Sequence, residues 1–100
     1  MSLTIAQSSK YQGNDYWKWS VWLDGPGEEL DHVDHVTYFL HRSFPNHVRV
    51  VKTRTTKFRL STSGWGVFRL VAKVIDKNGR ETRLERDLVL EYPKETPSKV

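Results

Sequence analysis

Apolar residues along this chain recur at every second position more often than at helical spacing. From Tyr16 to Asp24, Trp17, Trp19, Val21 and Leu23 fall on one side of a two-residue period, and Lys18, Ser20, Trp22 and Asp24 fall on the other. Side chains of a strand alternate between faces, so this segment predicts a half-buried strand with two of its indoles on the core side. Gly25-Pro26-Gly27 ends it, because glycine and proline favour turns over a ladder. Further on, Val36, Tyr38 and Leu40 share a face opposite Thr37, Phe39 and His41, and Pro45 breaks the chain after them. Short strands are expected over residues 47–51 and 57–60. A longer one runs from Trp65 through Phe68, Leu70, Ala72 and Val74 to Asp76. Asn78-Gly79 then marks a tight hairpin turn into a return strand carrying Leu84, Leu88 and Leu90.

No window shows the apolar stripe of an amphipathic helix, so helix amounts to a turn at most. About six to eight short strands, each with one apolar face to cover, predict an all-β, immunoglobulin-like antiparallel β-sandwich. Residues 1–13 read as an N-terminal lead-in or edge strand, 14–92 as the sandwich, and 93–100, with Pro93 and Pro97, as a polar linker or tail.

Composition narrows the classes further. A chain of 100 residues, 37% apolar and 28% charged, is one globular domain with a small core. The absence of cysteine excludes a disulfide framework and a thiolate metal site. No apolar run approaches the roughly 20 residues of a membrane span, and the start MSLTIAQSSK lacks the basic and apolar regions of a signal peptide. The expected compartment is the cytoplasm, with no membrane contact from this domain. The net charge of +4 gathers partly in Lys52, Arg54, Lys57 and Arg59, which alternate as the solvated face of edge strands would. Such a face also fits phosphate, but nucleic acid is not the expected partner.

Two clusters invite catalytic or metal readings. His32 and His35, interleaved with Asp31 and Asp34, carry metal-ligating groups. Spaced by three on a strand, however, the two imidazoles point to opposite faces. His41, Ser43 and Asp87 spell the members of a hydrolytic triad, but no nucleophile elbow accompanies them. Neither an enzyme nor a cofactor or metal site is expected.

A third constellation is more specific. Val33-x-x-Val36-x-Tyr38-x-Leu40-His41-x-Ser43-Phe44-Pro45 is followed by Ser63-Gly64-Trp65-Gly66-x-Phe68. Trp19-x-Val21-x-Leu23-x-Gly25-Pro26 precedes them, and Arg83-Leu84-x-x-Asp87-Leu88-x-Leu90 follows. Together these motifs resemble the YEATS domain, a family of immunoglobulin-like sandwiches that read acylated lysines, over roughly residues 17 to 92.

The resemblance implies an acyl-lysine slot between the rings of Phe44 and Trp65. It puts the Ser43 hydroxyl on the acyl amide, the Trp65 backbone N–H on its carbonyl, and His41 beside the slot. Gly64 and Gly66 would let the backbone come close to the ligand, and Asp87 would touch a basic residue of the bound peptide. An acylated lysine has no charge, so burial, stacking on its flat amide and hydrogen bonds must hold it. The short chain is most similar to the compact prokaryotic branch of the family. The expected partner is therefore an acylated-lysine peptide or protein, with effector domains of a parent protein as a further partner. The alternative is a structural or docking domain that keeps the sandwich without the reader, in which Phe44 plugs the sandwich end.

Overall fold

The computed structural model describes residues 3–64 and 66–90. In chain order the elements are β1 (Thr4–Gly13), β2 (Tyr16–Asp24), α1 (Gly27–Asp31), β3 (Val33–Phe39), β4 (Val48–Val51), β5 (Leu60–Gly64), β6 (Arg69–Asp76) and β7 (Glu81–Asp87). The strands form two antiparallel sheets, ordered β1-β2-β5 and β4-β3-β6-β7, which pack face to face. Among the described residues no helix is long and apolar enough to cross a membrane.

The alternation in β2 and β3 is realised as a core. Trp19, Val21 and Leu23 from one sheet meet Val36, Tyr38, Leu70, Ala72 and Val74 from the other, all at 2% exposure or less. Trp17 is buried as well, but it lies outside this cluster, tilted against Tyr11 with ring centroids 5.1 Å apart. The first strand is a full partner of β2, joined to it at Asn14 and Asp15, which both take positive φ. Positive φ at both loop residues matches the right-handed twist of a two-residue hairpin, and Asn and Asp tolerate it best after glycine.

One side of the sandwich is closed by side chains. The Gln7 amide on β1 donates to the Val89 carbonyl at 2.6 Å and accepts the Val89 N–H at 2.9 Å, so it acts as one rung of a ladder. Arg86 reaches across from β7 to the Ile5 carbonyl at 3.0 Å.

Two expected strands are displaced. Residues 57–60 do not open a strand: Arg54–Thr56 form a 3₁₀ turn, Lys57 and Phe58 both take positive φ, and pairing starts at Leu60. Tertiary contacts hold this turn. The Tyr38 hydroxyl donates to the Phe58 carbonyl at 2.6 Å, and the Leu23 N–H donates to the Lys57 carbonyl at 2.9 Å. Phe58 is thereby fully buried beneath the turn. Lys52 and Arg54 consequently do not share a strand face, and Arg54 instead binds Asp31 at 2.9 Å. The long strand begins at Arg69, not near Trp65: Gly66 to Phe68 run as a loop, tied at its end by the Leu88 N–H donating to the Phe68 carbonyl at 3.0 Å, and Trp65 itself lies outside the described residues. So does the tail over 93–100.

Candidate functional site

At one end of the sandwich the β3–β4 connection faces the loop between β5 and β6. Leu40 is buried at the exit of β3 and its N–H binds the His47 carbonyl at 2.7 Å, which closes residues 41–46 into a projecting loop. Within it the Phe44 N–H donates to the His41 carbonyl at 2.9 Å, and Asn46 takes positive φ where the chain turns back. Arg49 secures the far side by donating to the Pro45 carbonyl at 3.1 Å.

The His41 ring is fixed by Ser43. The Ser43 backbone N–H lies 3.1 Å from Nδ1 and the Ser43 Oγ lies 2.8 Å from the same nitrogen. A backbone N–H can only donate, so Nδ1 is an acceptor and the ring proton sits on Nε2. The hydroxyl proton is then directed at Nδ1 as well, which leaves the lone pairs of Oγ to accept from a ligand N–H.

Phe44 is half-buried and stands edge-on to the buried Trp19 and the half-buried Phe68, with centroids 6.2 Å and 5.7 Å away. Edge-to-face packing at this range is favourable and fixes the ring plane. Gly64 explains how the ring fits. A Cβ at Gly64 would lie 3.3 Å from Phe44 Cζ and 3.7 Å from Trp19 Nε1. The last residue of β5 is thus bare so that Phe44 can lie over it. Trp19 Nε1 is buried there and has no hydrogen-bond partner among the described residues. Gly66 differs, since a Cβ there would meet nothing within 4 Å among the described residues beyond its chain neighbours.

These loops enclose a cavity of about 370 Å³ lined by His41, Ser43, Phe44, Gly64 and Gly66, together with Tyr16, Pro45, Ser63, Val67 and Phe68. Five of the residues singled out by sequence, His41, Ser43, Phe44, Gly64 and Gly66, therefore meet at one place. Trp65 is next to it in sequence but outside the described residues. Asp87 does not line the cavity: it stands opposite Arg69 on the neighbouring strand, with its carboxylate 3.6 Å from Arg69 Nε. Tyr16 and Ser63 are the polar residues that sequence reasoning missed, and their side-chain oxygens are 3.0 Å apart at the rim. Cross-strand register brings them there, because β2 and β5 pair with Trp17 opposite Gly64.

The other charged candidates are engaged elsewhere. His35 Nδ1 binds Asp34 at 2.7 Å, and that hydrogen bond holds the Asp34 carboxyl below its ordinary range. Asp31 is taken by Arg54. Among the described residues no group of three or more His, Asp or Glu side chains is placed to hold a metal ion.

The family profile of the prokaryotic YEATS domain matches residues 17–89. The chain belongs to this family. Similar YEATS structures include the Yaf9 YEATS domain bound to H3K27ac, with a TM-score of 0.75 at 23% identity over 91% of this chain and 72% of that one. The Yaf9 YEATS domain recognizing an H3K122suc peptide is also similar, with a TM-score of 0.65 at 26% identity over 88% of this chain and 68% of that one. Among curated proteins, the AF-9 homolog of Eremothecium gossypii is 38% identical over 58 residues, and that of Kluyveromyces lactis is 33% identical over the same length. These alignments span 56% of this chain but only 27% and 26% of the two relatives. The YEATS fold and its place in a family of reader domains are thereby common to this chain and proteins much longer than it.

Proposed function

We propose that this YEATS domain is a non-enzymatic recognition module that takes an acylated lysine side chain into the cavity between the 41–45 loop and the 64–68 loop. The observation that carries this reading is the convergence of His41, Ser43, Phe44, Gly64 and Gly66 on one cavity of about 370 Å³. Phe44 offers an aromatic wall whose plane is fixed by Trp19 and Phe68. Ser43 Oγ, its proton directed to His41, is free to accept the acyl-amide N–H. The ring and backbone N–H of Trp65 are the second wall and the donor to the acyl carbonyl that the family motif implies. Support also comes from the similar Yaf9 domains, which are bound to acetylated or succinylated histone peptides.

The test is a calorimetric titration with a crotonyl-lysine peptide and its unmodified counterpart. Binding of the crotonylated peptide alone, weakened by Trp65→Ala, is the expected result. Equal response to both peptides, or no binding at millimolar concentration, overturns it.

One observation favours a second reading, a docking domain without reader activity. Phe44 packs on the core as a plug would, edge-on to two buried or half-buried rings. In that case Trp65→Ala and Phe44→Ala lower stability and no acyl-lysine response exists to be lost. The activity of any larger protein carrying this domain would then rest with its other parts.

A further inference from the structure

Cations and carboxylates are distributed unevenly over the two sheets. On the outer face of the β4-β3-β6-β7 sheet, Arg69 faces Glu85 and Asp87, Lys73 faces Glu81, and Arg83 faces Glu85, all within 4 Å. On the outer face of the β1-β2-β5 sheet, the exposed Lys10 and Lys18 are direct cross-strand partners, and neither joins an ion pair among the described residues. Like charges set opposite each other on a sheet repel. A lysine on an edge strand such as β1 deters strand addition, but Lys18 stands on the central strand, where that purpose does not apply.

Next to the lysines lies a row of hydroxyls. Ser8, Ser20 and Ser61 are in register across the three strands, with Ser20 Oγ 2.9 Å from Ser61 Oγ. Together with the lysines they line a trough of about 310 Å³. The trough leads to the cavity: Lys18 pairs across strands with Ser63, whose Oγ meets the Tyr16 hydroxyl at the cavity rim. The carboxylates of β2 and its hairpin lie at the two ends of this face, Asp15 in the turn and Asp24 at the last position of the strand.

We propose that Lys10 and Lys18 form a subsite for acidic residues, so that the domain selects acyl-lysine polypeptides with Asp or Glu flanking the modified lysine. The subsite rests on the acyl-lysine reading of the adjoining cavity. Its position beside the rim suits residues that flank a lysine whose side chain enters at Tyr16 and Ser63. The hydroxyl row supplies donors that a carboxylate accepts from, and the two ammonium groups gain the counter-charge that the sheet withholds.

Three crotonyl-lysine peptides with acidic, neutral or basic flanks, each with an unmodified control, test this by calorimetry at low and high salt. Expected for the wild type is the order acidic, neutral, basic, with about three- to tenfold between the extremes and a narrower spread at high salt. In the Lys10→Gln/Lys18→Gln double variant the three affinities converge. Equal or reversed order in the wild type, or a preference that survives the double substitution, overturns the subsite while leaving the cavity reading intact. Failure of the crotonyl group to strengthen binding in any flank overturns the cavity reading and the subsite with it. A single-stranded oligonucleotide that displaces the acidic peptide and binds more tightly overturns a polypeptide as the occupant.

Discussion

Replacing Tyr38 by Phe removes one oxygen atom from the centre of the sandwich and leaves its shape unchanged. Tyr38 and Phe58 are both fully buried, and the hydroxyl is 2.6 Å from the Phe58 carbonyl. Without it that carbonyl loses its donor in a dry core, which costs about 1–3 kcal/mol. The same bond holds Lys57 and Phe58 in left-handed backbone, a conformation that non-glycine residues resist by about 1–2 kcal/mol each, so the upper half of the range is expected. For a domain of this size that is a fall in Tm of roughly 8–24 °C.

A pH series separates this account from general damage. Burial pushes the Tyr38 phenol well above its ordinary pKa, so the fold favours the neutral form. A group raised in this way contributes stability that is fully present below about pH 10, the ordinary tyrosine value, and is lost as pH climbs above it. The other tyrosines and the lysines titrate in both proteins and cancel in the difference. Thermal melts of wild type and variant from about pH 8 to about pH 11 are expected to show a gap that is constant at first and then narrows by about 1.4 kcal/mol. A variant as stable as wild type at neutral pH, or a gap that persists unchanged to the alkaline end, refutes the reasoning.

Three further outcomes follow from the geometry of the site and the seam. Gly64→Ala places a Cβ 3.3 Å from Phe44 Cζ, so the ring must move by a few tenths of an ångström; stability is expected to fall by about 0.5–1.5 kcal/mol in chemical denaturation, and crotonyl-lysine affinity to fall with it. Ser43→Ala removes the hydroxyl proposed to accept the acyl-amide N–H, on an exposed loop, and calorimetry with the crotonyl-lysine peptide is expected to give about five- to tenfold weaker binding at nearly unchanged Tm. Gln7→Ala deletes the rung that pairs with both backbone groups of Val89; hydrogen exchange at Leu88 and Val89 is expected to accelerate, with a loss of about 1–2 kcal/mol.

The parts of this fold legible in sequence are those decided by local alternation. Trp19, Val21 and Leu23, and Val36, Tyr38 and Leu40, mark their strands because one face of each must be buried. The segment 57–60 misleads for the complementary reason. Its alternating Lys57, Phe58, Arg59 and Leu60 read as a strand, whereas a local turn, closed by the Lys57 and Phe58 N–H groups on the Arg54 and Thr53 carbonyls, is anchored to the core by Tyr38 and Leu23, distant residues that no local pattern reports.

The site divides in the same way. His41, Ser43 and Phe44 lie within four consecutive positions and Gly64 and Gly66 flank one indole, so motif spacing exposes them. Tyr16 joins the rim only because β2 and β5 pair in a register that puts Ser63 beside it, a relation across 47 positions of chain. Asp87 matches a motif position, and strand pairing sets it opposite Arg69, away from the residues that line the cavity.

The contact between Phe44 and Gly64 makes the wall of the cavity a part of the hydrophobic core. A molecule seated against that ring would stabilise Trp19 and Phe68 behind it, so occupancy and global unfolding are linked equilibria. Under the proposed acyl-lysine reading, the melting temperature of the domain would report what the cavity holds, and a library of acylated peptides could be ranked by heating alone.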